Sequence, residues 1–376
     1  MKNKICVYAI CKNELQNITR WLNSMSEADY IVVLDTGSTD GTYEQLQKEE
    51  LVTRVEQKVI KPWRFDVARN ESMKLVPDDA NILVCTDLDE IFESGWGQIL
   101  RDNWTEQCTM CHYLYAWSHN EVGEPGDVFV YNKIHTRDYH WHFPVHEVLL
   151  PNVPVGEGFE EYILDAGDNI YLHHLQDKSK SRSNYLDLLK LSCKENPNDA
   201  HVRMLLAREY LLINNRDLAL KEYLKVIEMP DAKERDIILL ESYGRLANLY
   251  FDRDDDGNGL KYCSMFIELN NTYREPYFIM AEYYMRKQQY ALAKAIIETG
   301  FSMSTQKFTW VERAPMWQDL GYKMLGECCY RLGNIDAAFD NFQTALELNN
   351  SDPLTLRFMV DIIKQMKNGI NGEKNG

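Results

Sequence analysis

No apolar stretch in this 376-residue sequence approaches the roughly 20 residues that a bilayer-spanning helix needs, so no integral membrane segment is expected. The one early apolar run, Ile5 to Cys11, is too short for a signal peptide and precedes no small-residue cleavage site. Basic charge is also scarce: 41 Lys and Arg stand against 58 Asp and Glu, a balance of −17. The shortfall lies in residues 1–178, which hold 15 basic and 30 acidic side chains. Such a surface is a poor match for nucleic acid, which is bound through basic groups. A second Cys/His pair to complement Cys108, Cys111 and His112 is missing, so no structural zinc is expected. The nine cysteines are odd in number and scattered. Without an export signal they should be reduced thiols in a cytoplasmic protein. Disorder of the bulk is excluded by 45% hydrophobic and 26% charged residues.

What is present is an alternation. Ile5–Cys11, Tyr30–Asp35, Val52–Val59 and Asn81–Thr86 read as strands. Glu14–Met25, Thr39–Glu50 and Phe65–Leu75 read as the helices between them. This order predicts an α/β domain with a mixed, mainly parallel sheet. Ligands of such sheets sit beyond the carboxyl ends of the strands. Two strands run directly into acids there, at Asp35 and Asp87. Met110–Trp117, Val128–His135 and Ile170–His173 look like further strands, with aromatics and histidines crowded among them.

Beyond about residue 178 the pattern turns helical and repeats. Tyr322, Leu325, Gly326, Cys329, Gly333, Ala338, Phe342 and Ala345 set one template. Copies beginning at Arg203, Tyr243 and Tyr277 follow it, with Ala207, Ala247 and Ala281 at the position of Gly326. Ala219, Gly259 and Ala293 take the position of Ala338. Small residues at these two positions let paired helices approach closely. The copies resemble tetratricopeptide repeats (TPRs), which stack into a solenoid with a concave face. Two domains are therefore expected, 1–178 and 179–376.

Four segments could carry chemistry. In Asp87-Leu88-Asp89, alternate side chains of an extended chain share a face, so both carboxylates could meet one hard divalent cation. Asp35 to Thr42 is a strand–turn–helix loop whose acids could hydrogen-bond a nucleoside. Arg69 and Asn70 follow Phe65 at a predicted helix start, where a guanidinium could hold the nucleotide or the acids. His146-Glu147 and His173-His174 offer a general base and a third metal ligand.

In this order these segments, with Lys12-Asn13-Glu14 after the first strand, resemble the family-2 glycosyltransferases of the GT-A fold. They look most like the branch with C-terminal TPR-like helices, which includes peptide S-glycosyltransferases that modify cysteines of bacteriocins. The resemblance implies a metal-dependent, inverting transfer from a nucleotide-sugar, most simply a UDP-sugar. It implies that Glu14, Asp35 and Asp40 contact the nucleoside and that Phe65 and Arg69 shape its pocket. It further implies that Asp87, with Leu88 beside it, reaches the ribose, and that Asp87, Asp89 and either His174 or His173 bind Mn²⁺ or Mg²⁺. Glu147 would be the base. The repeats would bind a peptide or protein acceptor or mediate homodimerisation. Two alternatives stand beside this reading: a non-catalytic adaptor with a decayed transferase domain, and a transferase acting on a cell-surface glycan.

Overall fold

The computed structural model describes residues 3–120, 123–175, 184–303, 307–309, 311, 313–349 and 352–373. It forms two compact units, Met1–Pro197 and Asn198–Gly376. The boundary expected near residue 178 lies outside the described residues.

In the first unit the strands are β1 (Ile5–Cys11), β2 (Tyr30–Asp35), β3 (Arg54–Gln57), β4 (Ile82–Asp87), β5 (Glu90–Phe92), β6 (Met110–Ala116), β7 (Val128–His135), β8 (Tyr139–His142), β9 (Val148–Pro151) and β10 (Ile163–His174). Among the described residues one sheet runs in the order β3-β2-β1-β4-β7-β6-β10-β5, and β8 and β9 form a separate antiparallel ribbon. Strands β1 to β4 are mutually parallel. β7 is antiparallel to both β4 and β6, and β5 is antiparallel to β10. The sheet is thus mixed and mainly parallel in its first half, as the alternation predicts.

β1 is buried along its whole length and divides the core by residue parity. Ile5, Val7 and Ala9 join Trp21, Leu22 and Met25 of α1 (Ile18–Met25) in one cluster. Cys6, Tyr8 and Ile10 join Val32, Ala68 and Trp141 in the other. Trp21 also donates its indole N–H to Thr86 Oγ1 at 3.0 Å, which satisfies a polar atom that would otherwise be stranded in the core.

Helix α2 (Thr42–Leu46) is shorter than expected, because Gly41 adopts a left-handed backbone (φ 95°) and delays its start. Helices α3 (Phe65–Met73) and α4 (Trp96–Asn103) follow. Helix α5 (Tyr185–Glu195) belongs to the first unit and not to the repeats. The Phe65 and His146 rings pack on Tyr185 at 5.9 and 5.8 Å, and Arg64 pairs with Glu195 at 2.7 Å.

The second unit is all helical among the described residues. The template copies fall on α6 (Ala200–Leu212) with α7 (Arg216–Glu228), then, after the short α8 (Pro230–Lys233), on α9 (Asp236–Phe251) with α10 (Asp256–Leu269). The third copy is α11 (Glu275–Arg286) with α12 (Tyr290–Phe301). After α13 (Ala314–Trp317), the fourth is α14 (Leu320–Arg331) with α15 (Ile335–Leu348), and α16 (Pro353–Glu373) follows. Asp199, Asn215, Asp255 and Asn334 each cap a helix by accepting a backbone N–H.

The small template positions are close approaches. A Cβ on Gly326 would stand 2.8 Å from Cδ1 of Phe342, and one on Gly259 would overlap the Phe251 ring. Alanine is the better helix former by about 1 kcal/mol. Overpacking should still win, so Gly259→Ala is expected to lower stability by about 1–3 kcal/mol in guanidinium denaturation. An unchanged or raised midpoint would show that the ring yields freely.

Candidate functional site

β1 has β2 on one side and β4 on the other, so the chain reverses its direction of sheet growth at β1. Such switch points open a crevice beyond the carboxyl ends of the strands. Asp35 lies level with Cys11, and Asp87 level with Ile10, on the two flanks of β1. Two inter-strand spacings put these acids about 10 Å apart across the crevice.

Two expected segments are laced together at its rim. Asn13, itself left-handed (φ 56°), accepts the Thr39 N–H at 2.8 Å, and its own N–H reaches Ser38 Oγ at 2.8 Å. The backbone N–H of Glu14 donates to Thr42 Oγ1 at 2.8 Å. Asp35 is fully buried, and its Oδ1 accepts from Gly37, Ser38 and Gln57, each at 2.9 Å. Burial alone would raise its pKa, but these hydrogen bonds outweigh it and hold the carboxyl below the usual carboxylate range. Asp40 is exposed and spends its oxygens on Thr42 and the Leu15 N–H, so its first role is to fasten this loop. Glu14 is buried and accepts from Asn17 at 2.7 Å.

The second half of the site centres on Arg69. Its guanidinium, buried on α3, donates to Asp87 Oδ2 at 3.0 Å, to Cys85 Sγ at 3.3 Å and, through Nε, to Glu147. It also lies 5.2 Å from the centre of the Trp141 ring. Asp87 thus meets Glu147 through a shared cation. Burial would push Asp87 up, but Arg69 and Lys133 more than offset it and hold the carboxyl well below its ordinary value. Phe65 is partly buried against Trp63 at 5.0 Å, on the same helix as Arg69. Leu88 does not line the crevice with its side chain, which is buried in the core. Any contact it makes with a ligand must come from its backbone.

The two histidines separate by strand parity. His174 is level with Glu90 and sets Nε2 3.6 Å from Asp89 Oδ2. His173 points elsewhere, to His119 at 2.9 Å and Glu93 at 3.0 Å. β5, which was not expected, and β6 hold β10 from its two sides and fix this register.

Among the described residues no group of three or more His, Cys, Asp or Glu forms a ready cation cage. The residues nonetheless fit a partial one. His174 Nδ1 is buried without a hydrogen-bond partner, and Asp89 faces the other ring nitrogen. Mg²⁺ and Mn²⁺ at nucleotide sites commonly take one or two carboxylates and fill the remaining positions with phosphate and water oxygens. Asp87 is less suited to be a ligand, because its carboxylate already pairs with Arg69 and, at 3.5 Å, with Lys133.

Glu90 closes the acidic Asp-Leu-Asp-Glu turn seen in the sequence, but its partner Lys133 escaped sequence reasoning. Glu90 accepts the Asp87 backbone N–H at 2.9 Å, the Tyr115 hydroxyl at 2.9 Å and Lys133 Nζ at 3.1 Å. Lys133 comes from the antiparallel β7, 43 residues away, and no local pattern marks it.

A carboxylate held low stays ionised in the folded chain while its unfolded counterpart takes up a proton. The stability from Asp35 and Asp87 is therefore fully present above about pH 4 and is lost as pH falls toward their lower folded values. The urea midpoint is expected to be lower at pH 3 than at pH 6, and Asp35→Asn should narrow the difference. An equal narrowing on replacing an exposed, unpaired acid would count against this assignment.

The tetratricopeptide repeat family model matches residues 322–352. The match contains the fourth template copy, and that segment is similar to a tetratricopeptide repeat. No curated protein matches the sequence. Solved structures with similarity include the MamA protein, at 20% identity over 45% of this chain and 82% of that one, with a TM-score of 0.35. A thermophilic TPR protein of Thermus thermophilus is 18% identical over 48% and 90%, with a TM-score of 0.35. The C-terminal part of a TPR repeat-containing protein from Cytophaga hutchinsonii is 14% identical over 48% and 64%, with a TM-score of 0.38. Among the described residues no helix is long and apolar enough to cross a membrane.

Proposed function

We propose that the chain is an inverting glycosyltransferase moving a sugar from a nucleotide-sugar, most simply a UDP-sugar, to an acceptor. The observation that carries this reading is the convergence at one switch point of Asp35, Asp87 and the Asp89–His174 pair, with Glu147 joined through Arg69. The resemblance to family-2 glycosyltransferases of the GT-A fold rests on these same residues.

In this reading the Asn13–Glu14 loop and the turn that buried Asp35 braces hold the nucleoside, and Asp87 meets the ribose. A divalent cation, Mn²⁺ or Mg²⁺, held by Asp89 and His174 would neutralise the diphosphate as it leaves. The acceptor nucleophile attacks the anomeric carbon in line with the departing UDP, and Glu147 takes its proton. The oxygen of Glu147 that Arg69 leaves free is the one for that task. The repeats suit a peptide or protein acceptor, since TPR domains mediate protein interactions. They also offer a surface for homodimerisation.

A second reading rests on the repeat match itself: an adaptor whose first unit binds no donor. Isothermal titration with UDP and Mn²⁺, followed by a screen of UDP-sugars for turnover with peptide and glycan acceptors, separates the two. Metal-dependent UDP binding with turnover supports the transferase. No UDP binding at any metal concentration supports the adaptor.

A further inference from the structure

Glu90 and Lys133 lie behind the acidic turn, and neither has a role in the reaction just described. Their ion pair is deeply buried, with side-chain exposures of 1% and 5%. It is tied to the turn twice: Glu90 accepts the Asp87 N–H, and Lys133 Nζ lies 3.5 Å from Asp87 Oδ2. Tyr115 closes the cluster from β6 by donating to Glu90.

The charges of this linked cluster can be counted. Asp87, Asp89, Glu90 and Glu147 supply four carboxylates. Arg69 and Lys133 supply two cations. With His174 neutral, as a metal-ligating imidazole must be, two negative charges remain, the charge of one divalent cation. Without Lys133 the crevice would repel a nucleoside diphosphate more strongly. Without Glu90 it would accept the bare anion more readily and attract the cation less.

We propose that Glu90 and Lys133 are positioning residues that set the charge of the Asp87–Asp89 crevice, so that it takes a nucleoside diphosphate only together with a divalent cation. This rests on the transferase reading but makes its own demand. Removing either charge should move cation affinity in opposite directions, which a merely structural brace would not do.

The test is calorimetric titration of the full chain with Mn²⁺ alone and with UDP alone. Glu90→Gln keeps an acceptor for the Asp87 N–H and removes one negative charge. It should weaken Mn²⁺ binding by roughly tenfold and tighten UDP binding without metal. Lys133→Met should do the reverse. The double variant Glu90→Gln/Lys133→Met restores the charge sum and should return Mn²⁺ affinity to near that of the wild type. Circular dichroism melts report whether each variant folds, and the double variant decides the matter if a single one does not. If both single variants weaken Mn²⁺ alike, if neither moves it, or if the double variant stays weak, the charge-setting role is overturned while the transferase reading stands. If the wild-type chain binds neither Mn²⁺ nor UDP, both fall together.

Discussion

Asp89→Ala is expected to abolish metal-dependent UDP binding and to cut sugar transfer by roughly a thousandfold, while leaving the melting transition close to that of the wild type. The size follows from the cation's work. Stabilising charge on a leaving diphosphate is worth several kcal/mol, and about 4 kcal/mol is a factor of a thousand in rate. The fold survives because the turn is held by its backbone and by Glu90. The Asp89 carbonyl accepts the Leu175 N–H at 2.8 Å whatever side chain is present, and Glu90 keeps the Asp87 N–H. His174→Ala should share the defect in metal binding. His173→Ala should not, because its ring is engaged with His119 and Glu93. Undiminished Mn²⁺-dependent UDP binding by Asp89→Ala would sink the assignment of the metal pair.

The parts of this site legible in the sequence are those that local order places. Asp35 and Asp87 end buried strands, and an apolar run stopped by an acid marks the carboxyl edge of a parallel sheet without reference to anything distant. The repeats were legible for a related reason. Their small residues recur at fixed offsets, and Gly259 and Gly326 do meet aromatic rings of the paired helix.

What could not be read was cross-strand pairing. Which histidine faces Asp89 depends on the pairing of β10 with β5, a strand of three residues, and with β6, where two register shifts precede the histidines. Lys133 reaches the acids only because β7 runs antiparallel beside β4, with Leu83 opposite His135. Neither fact has a local signature. Leu88 shows the opposite error: it stands between Asp87 and Asp89 in sequence, but the chain turns at Leu88 and Asp89 where the sequence was read as extended, and the Leu88 side chain enters the core.

The largest effect on stability should come from Arg69. Arg69→Met is expected to cost about 3–5 kcal/mol in denaturant unfolding, the usual penalty for removing one partner from a buried charge network. The reason lies less in the lost attraction than in what is left behind. Asp87 and Glu147 would keep their negative charges beside each other with Lys133 as the remaining nearby cation, and it is already paired with Glu90. Arg69→Lys keeps the charge but not the geometry. The guanidinium donates from three nitrogens to Asp87, Glu147 and Cys85 at once, and a single ammonium on a flexible stem cannot span them. The lysine variant should therefore recover part of the stability and little of the activity. Arg69→Met combined with Glu147→Gln should be more stable than Arg69→Met alone, because one of the two stranded charges is gone. If Arg69→Met unfolds within about 1 kcal/mol of the wild type, the network is not what holds the acids in place, and their convergence at the switch point would have to be explained by the strands alone.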